Sequence, residues 1–246
     1  MFRFLPLNGY QSRGWLNLVQ SGGQSDSPTA QEKAKLRRQF RETRGRLSQE
    51  ALAQGQPWGA MHIVQLKNFL SVALAAENPG ARAQSWPKTV AAYWPIGSEL
   101  NLLQNEATPQ WRLPHAEPNG TLNWFAWSEN VKTWPRDKKG LPIAPSDVEI
   151  QPYVDSSGGW LVLTPCLAVD AKGTRLGYGG GYYDRFLAMY GAKLLTAACI
   201  PRECYSETLL LPKEEHDIPV DLIVTESDVK IVSHEVFKKK LLLLSC

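Results

Sequence analysis

The sequence predicts an α/β fold of three layers, in which helices cover a largely parallel sheet. Short apolar runs separated by turn residues alternate with stretches at helical spacing, and this pattern is typical of α/β layering. The run Trp160-Leu-Val-Leu-Thr164 is apolar at every residue but the last, as in a parallel strand covered on both faces. At 246 residues the chain can bury a core of ordinary size, and we expect one main domain.

Helical spacing of apolar residues predicts a first helix over residues 31–54 and a second over 58–76, with a break at Asn78-Pro-Gly80. Strands are predicted over residues 89–94, 111–113, 122–127, 160–164, 194–200 and 220–225. Residues 133–157 are rich in Pro, Lys and Asp and indicate a long irregular connection near a site. Residues 183–190 predict a helix that ends at Gly191.

Composition excludes several classes of protein. Hydrophobic residues make up 43% and charged residues 21%, as in soluble globular proteins, and the net charge of +3 is too small to indicate nucleic-acid binding. No apolar run approaches the length of a membrane span. The four cysteines include no C-x-x-C pair, which argues against a zinc site and for reduced, buried thiols in an intracellular protein.

The first thirty residues differ from the remainder. Residues 1–25 contain two arginines and no acid, with several Ser, Gly and Gln. This composition is compatible with an organellar transit peptide, and equally with a frayed tail or an upstream start codon. We therefore expect an extension over residues 1–30 and an α/β domain over residues 31–246.

A basic stripe lies beside the apolar face of the first predicted helix. Lys33, Arg37, Arg41 and Arg44 recur at helical spacing, and such a row can line a cleft. An ordinary solvated face is the alternative, since arginine-rich helices are common.

The richest motif is the string T-R-L-G-Y-G-G-G-Y-Y-D-R at residues 174–185. Glycines without a Cβ can turn successive backbone N–H groups toward an anion, Arg175 adds a planar donor fork, and Asp184 adds a carboxylate suited to magnesium. The predicted order is strand, glycine loop, helix. Neither a Walker A motif nor a dinucleotide fingerprint fits the string, and a tight structural connection is the alternative.

Other candidates lie outside the glycine string. Glu99 ends the segment Pro95-Ile-Gly-Ser-Glu99 after a predicted strand, where α/β sheets bind ligands, or else it supports a helix N-terminus. Asp221 lies in an apolar run and needs a partner, either a basic side chain or a shared magnesium ion. Trp94, Trp124 and Tyr182 could stack on flat rings, although large aromatics usually form core; Trp94 is the preferred tryptophan.

The chain resembles the 5-formyltetrahydrofolate cyclo-ligase family, also called 5,10-methenyltetrahydrofolate synthetase. The resemblance runs from about Glu32 to Glu226 and rests on three anchors in order: Lys33-Ala-Lys-Leu-Arg37 matching K-x-x-L-R, the Pro-x-x-x-Glu loop, and the glycine string with the later Val220-Asp221. It implies a fold of the NagB/RpiA/CoA-transferase-like type. It also implies ATP as co-substrate and Mg²⁺ as cofactor.

The resemblance assigns roles to particular positions. Arg175, Tyr182 and Lys33 are expected to be catalytic, Glu99, Trp94 and Tyr182 to bind substrate, and Asp184 and Asp221 to hold the metal. The residues expected to bind ATP are Lys33, Ala34, Lys35, Leu36, Arg37, Arg175, Leu176, Gly177, Tyr178, Gly179, Gly180, Gly181, Tyr182 and Tyr183. The chain departs from the family pattern at Asn101 and Leu102, where an acid and a threonine are common, and this puts the rim of the folate pocket in doubt.

The implied reaction is the ATP-dependent cyclisation of 5-formyltetrahydrofolate, in some cases polyglutamylated, to 5,10-methenyltetrahydrofolate. We expect a cytoplasmic monomer, unless residues 1–30 direct organellar import, with no nucleic-acid or membrane partner. One alternative is a divergent paralogue that binds folate or nucleotide as a regulator. A second is an RNA-binding protein that uses the basic stripe, although no known RNA-binding module is present.

Overall fold

Two sheets organise the computed structural model, which describes residues 27–77, 86–103, 111–153 and 159–244. The helices are α1 (Pro28–Ala53), α2 (Ala60–Glu77), α3 (Tyr182–Tyr190) and α4 (His234–Leu244). The strands are β1 (Thr89–Ala91), β2 (Trp111–Ala116), β3 (Leu122–Ala126), β4 (Trp160–Leu163), β5 (Ala168–Asp170), β6 (Arg175–Leu176), β7 (Leu194–Cys199), β8 (Tyr205–Ser206), β9 (Leu222–Val224) and β10 (Val229–Ile231).

The larger sheet has seven strands in the order β10-β9-β7-β4-β1-β2-β3. Its five central strands run parallel, and β3 and β10 pair antiparallel at the two edges. Leu161, Val162 and Leu163 of β4 are fully buried, because both faces of this central strand are covered. The predicted α/β class with a largely parallel sheet is confirmed.

The two faces of the sheet carry different layers. Helices α2 and α4 cover one face, where Leu70 and Phe237 join the cluster that contains Leu161. Helix α3 covers part of the other face, packing Phe186 against the cluster that contains Val162. The small sheet, in the order β6-β5-β8, covers the remainder of that face, and α1 packs against it through partly buried apolar side chains such as Phe40.

Helix α1 begins before the predicted start at residue 31. Ser27 caps it, since its Oγ accepts a hydrogen bond from the N–H of Ala30 at 3.1 Å, and Pro28 supplies a preset φ in the first turn. The boundary expected at residue 30 therefore falls inside a helix. Residues 1–26 of the expected extension, the break at 78–80 and Cys246 lie outside the described residues.

Most predicted elements are present, with differences at their ends. The first strand stops at Ala91 instead of continuing to residue 94, and the glycine loop follows β6 of the small sheet and not the long apolar strand β4. The small sheet, β10 and α4 were not predicted. Cys166, Cys199 and Cys204 are buried and free, as expected, and no helix in the described part of the chain is long and apolar enough to span a membrane.

Candidate active site

The glycine loop connects β6 to α3 and requires glycine at two positions. Gly179 has φ of 98° and Gly181 has φ of 64°, both in the left-handed region that a side chain disfavours. Gly181 is the N-cap of α3, so the loop delivers the chain directly to the first turn of that helix. The free N–H groups and positive end of a helix dipole attract anions at this point. The loop therefore has the backbone form of an anion site.

The basic stripe of α1 faces this loop. The Nε of Arg37 donates a hydrogen bond to the carbonyl oxygen of Gly177 at 2.9 Å. The guanidinium groups of Arg41 and Arg44 lie 6.0 and 5.4 Å from the centre of the Tyr178 ring. Burial and the charge of Arg41 lower the pKa of Arg37. The stripe thus concentrates positive charge against the loop, with Arg41 at its exposed side.

Lys33 is the first basic residue of the same stripe and is only 4% exposed. Its Nζ is 2.6 Å from Glu214 Oε2 and 2.5 Å from Asp217 Oδ2. Together with His216, these two acids place three possible metal-ligand atoms within 4.8 Å of one another, although the Lys33 ammonium already pairs with both carboxylates. Of the other residues in the predicted ATP segment of α1, Ala34 and Lys35 are exposed and Leu36 packs against the small sheet.

Arg175 and Asp184 form a pair across the base of the glycine loop. The Nη2 of Arg175 donates to Asp184 Oδ1 at 2.7 Å and to the carbonyl oxygen of Ile218 at 3.3 Å, and the Ile218 N–H donates to the same Asp184 oxygen at 3.2 Å. The Nε of Arg175 and the hydroxyl of Tyr183 are buried without a hydrogen-bond partner among the described residues. Such groups are costly to bury unless a ligand satisfies them.

Glu99 is buried at the carboxyl end of the β1 segment, with 6% of its surface exposed. Its Oε2 accepts a hydrogen bond from the N–H of Ile96 at 2.8 Å, and the hydroxyl of Tyr178 donates a second. Burial raises the pKa of Glu99, against the opposing effects of these two hydrogen bonds and of the Arg44 charge. Because Tyr178 belongs to the glycine loop, the two predicted halves of the site meet at this carboxylate.

The candidate stacking residues have different surroundings. Trp124 is 1% exposed and packs edge-on against Phe186, with ring centres 5.2 Å apart, so it is a core residue. Trp94 is half-buried, and the guanidinium of Arg136 lies 4.1 Å from its ring centre. Tyr182 begins α3, with the guanidinium carbon of Arg185 5.0 Å from its ring centre. Trp94 and Tyr182 are therefore the two partly exposed candidates.

Asp221 is buried in an ion pair. Its two carboxylate oxygens lie 2.8 and 2.9 Å from the Lys240 Nζ, and Oδ2 also accepts from the N–H and hydroxyl of Thr196 at 2.8 and 2.7 Å. The residue directly precedes β9, at the amino end of that parallel strand, whereas Glu99 follows the carboxyl end of β1. These contacts are those of the ion-pair alternative, and the metal role of Asp221 stays a prediction.

The departure from the family pattern after Glu99 has a local structural explanation. Leu102 is 1% exposed and belongs to the main core. Asn101 donates its N–H to the carbonyl oxygen of Trp58 at 3.0 Å, and its Oδ1 accepts from the N–H of Leu103 at 3.2 Å. These contacts join the loop to the chain before α2.

One residue of the site received no separate role from the sequence. Arg44 is 4% exposed and reaches both Tyr178 and the Glu99 loop. Its helical spacing with Lys33, Arg37 and Arg41 places it on the same face of α1, and this spacing could have assigned it to the site.

Known proteins share sequence and fold with this chain. The model of the 5-formyltetrahydrofolate cyclo-ligase family matches residues 29–226. The 5-formyltetrahydrofolate cyclo-ligase of Escherichia coli (strain K12) is 39% identical over 108 residues, which are 44% of this chain and 56% of that protein. The enzyme of the same name from Saccharomyces cerevisiae is 38% identical over 84 residues, or 31% of this chain and 38% of that protein.

The matches thus span about half or less of these curated relatives. The NMR structure of Aquifex aeolicus 5,10-methenyltetrahydrofolate synthetase superposes with a TM-score of 0.56 at 26% identity, covering 81% of this chain and 92% of that one. The bounds of the family match include all of α1 except its first residue, together with the Glu99 loop and the glycine string. The chain belongs to the 5-formyltetrahydrofolate cyclo-ligase family.

Proposed function

We propose that the protein uses ATP to cyclise 5-formyltetrahydrofolate to 5,10-methenyltetrahydrofolate, releasing ADP and phosphate. The observation that carries this proposal is the hydrogen bond from Tyr178 to Glu99. It brings the loop suited to phosphate against the carboxylate suited to the pterin, as a reaction between the two substrates requires. The family membership supplies the identity of both substrates.

The chemistry follows from what the substrate lacks. The formyl carbon on the 5-nitrogen is amide-like and weakly electrophilic, and its oxygen would be a poor leaving group. Attack of the formyl oxygen on the γ-phosphorus of ATP releases ADP and gives an iminium phosphate. The 10-nitrogen then attacks the carbon, loses its proton, and the C–O bond breaks to release phosphate. The protein has to position the substrates and neutralise charge, as phosphoryl transfer generally demands.

The residues divide between the two substrates. Glycine-loop amides, the start of α3, Arg37 and the unpaired Nε of Arg175 would bind the phosphates and stabilise charge in the transition state. Lys33 would join them once released from Glu214 and Asp217. Glu99 would accept paired N–H donors of the pterin. Trp94 and Tyr182 would contact its flat ring, and the buried Tyr183 hydroxyl is a further donor between the two halves.

Magnesium is the cation implied for such a reaction, and Asp184 fits it better than Asp221. Both hydrogen bonds to Asp184 end on Oδ1, and Oδ2 takes none within the described residues. Asp221 has its two oxygens engaged by Lys240 and Thr196, so it would need to give up Lys240. When bound, magnesium would neutralise phosphate charge; we propose Asp184 as its protein ligand, with Asp221 as the second ligand that the family pattern predicts.

We also propose a cytoplasmic monomer that acts on 5-formyltetrahydrofolate with or without a polyglutamate tail. Three buried free thiols suit a reducing compartment. Contacts of the basic stripe with the glycine loop, through Arg37 and the Tyr178 ring, support a nucleotide role over the RNA-binding alternative.

The test is turnover by the purified protein. Absorbance of the methenyl product is followed with 5-formyltetrahydrofolate, magnesium and ATP, and each component is omitted in turn. We expect product only when all three are present. If folded protein binds both ligands in equilibrium measurements yet gives a flat trace, the cyclo-ligase assignment is wrong and a regulatory paralogue is indicated.

A further inference from the structure

Arg44 connects three segments that form the candidate active site. Its Nε donates to the Ser98 hydroxyl at 3.1 Å, its Nη1 donates to the carbonyl oxygen of Cys166 at 3.0 Å, and its Nη2 donates to the hydroxyl of Tyr178. Ser98 adjoins Glu99, Cys166 follows β4, and Tyr178 lies in the glycine loop. A planar guanidinium with several fixed donors is suited to holding three acceptors at once.

The same residue supplies positive charge to a buried acid. Arg44 acts on Glu99 to lower its pKa, while burial acts in the opposite direction. Among the described residues, the charge of Glu99 contributes to the raised pKa values of Tyr93, Cys166, Tyr178 and Tyr183, although burial is the larger cause for each and raises the pKa of Cys166 to about 12. These four groups are neutral at physiological pH. Arg44 is the cation whose charge lowers the pKa of Glu99.

We propose that Arg44 is a positioning residue that, through Tyr178 and Ser98, holds Glu99 as an oriented carboxylate for the pterin. A carboxylate offers only acceptors, as two N–H donors of a pterin require, whereas a protonated acid turns an O–H toward one of them. A buried acid that loses its nearby cation is driven toward the protonated form. The inference rests on the proposed function for the identity of the ligand, but its effect on Glu99 does not require a ligand.

The direct experiment measures the titration of Glu99 in the full chain. Carbon-13 NMR follows the side-chain carboxyl, assigned by its loss in Glu99→Gln, in the wild type and in Arg44→Met. We expect the Glu99 midpoint to move to higher pH in Arg44→Met and to move less in Arg44→Lys, which keeps the charge but loses the planar fork. Arg46→Met is the matched control, because Arg46 lies on the same helix with half of its side chain exposed and pairs with Glu50 and Glu203; its Glu99 midpoint should be unchanged.

Thermal unfolding of each variant is recorded first. If Arg44→Met does not fold, Arg44→Lys and Tyr178→Phe carry the test, since Tyr178→Phe removes the hydroxyl that donates to Glu99 and should also raise the midpoint. An unchanged Glu99 midpoint in a folded Arg44→Met, or in both substitutes, overturns the inference.

Turnover provides an independent reading. For Arg44→Met we expect the KM for 5-formyltetrahydrofolate to rise at pH values below the Glu99 midpoint, by up to about tenfold for each unit by which the substitution raises that midpoint. The KM should recover as pH rises, with kcat at saturating folate little changed. A purely structural role would alter KM without this recovery. If the wild type fails to turn over folate while the Glu99 midpoint still shifts, the proposed function fails and the positioning role stands.

Discussion

Glu99 is a buried carboxylate whose ionised form carries a cost in stability. Because burial raises its pKa, the folded state disfavours the ionised form that ligand binding needs. We expect Glu99→Gln, which keeps the size of the side chain, to weaken 5-formyltetrahydrofolate binding by about 1–3 kcal/mol, the range for a hydrogen bond to a charged group. Calorimetric titration should show ATP affinity almost unchanged. Equal losses for both ligands would indicate a structural role for Glu99.

The same variant should be more stable than the wild type at neutral pH. A carboxyl whose folded pKa is raised contributes no penalty below its unfolded pKa and a growing penalty as pH rises through the folded pKa. The gain in free energy of unfolding of Glu99→Gln should therefore be absent in acid and reach its full value above the folded pKa. Denaturant unfolding across the pH range measures it, and a gain that grew toward acid would contradict this assignment.

Arg175 should be sensitive to geometry as well as to charge. Arg175→Lys keeps the positive charge beside Asp184 but loses the planar fork whose Nε has no partner in the described residues. We expect kcat to fall about a hundredfold, as for other removed transition-state donors, with little change in melting temperature. Single-turnover kinetics beside thermal melts give both quantities. Near-normal kcat would mean that the unpaired Nε does not face a reacting group.

At the residue level, sequence patterns indicated candidate site residues but not the contacts between them. Glu99 and Arg175 were identified because their motifs combine turn residues with charge. The bond between Tyr178 and Glu99 could not be predicted, because it depends on how α1, β4 and the glycine loop pack together. The pairing of Asp221 with Lys240 could not be predicted either. Lys240 lies in α4, and the short apolar run of that segment did not indicate a helix.

At the level of elements, the glycine loop and α3 act as a unit. Gly181→Ala places a Cβ at a left-handed residue, which costs about 1–2 kcal/mol, and the new atom would lie 2.8 Å from the Arg185 guanidinium. We expect lower stability and weaker ATP binding by calorimetry. Gly177→Ala is the control within the same loop, because no atom lies within 4 Å of its added Cβ. Equal behaviour of the two variants would remove the special role of the α3 N-cap.

Long periodic elements were predictable, whereas very short ones were not. Helix α1 spans 26 residues and its stripe pattern repeats over many turns, so only its ends differed from expectation. Strands β6 and β8 are two residues long, too short for any alternation to appear. Their existence depends on pairing with β5, which forms a hairpin with the adjacent β6 and pairs with β8 from beyond α3 and β7 in the chain. The small sheet that supports the glycine loop therefore could not be predicted from the sequence.

At the level of the whole molecule, the Asp221–Lys240 pair attaches α4 to the large sheet. Lys240→Met leaves a buried carboxylate without its cation, and we expect a loss of about 3–5 kcal/mol in the free energy of unfolding. Asp221→Asn should also destabilise the protein. Asp184→Asn should raise the magnesium requirement of turnover, and Asp221→Asn should raise it as well if Asp221 is the second metal ligand. A magnesium titration in which Asp221→Asn behaves like Asp184→Asn would support the predicted metal role of Asp221.

This attachment has a consequence for biosynthesis. The ribosome delivers β9, with Asp221 at its start, before it delivers Lys240, which follows nineteen positions later. Before α4 is synthesised, Asp221 has no Lys240 to pair with. Packing β9 into the sheet at that stage would bury an uncompensated carboxylate, which costs free energy. The hydrogen bond that the Gly159 N–H donates to the carbonyl oxygen of Leu243, 2.6 Å long in the folded protein, also requires α4. We therefore expect the native state to form only after α4 has emerged from the ribosome. A chain that stalls before that helix stays incompletely folded and accessible to chaperones and proteases.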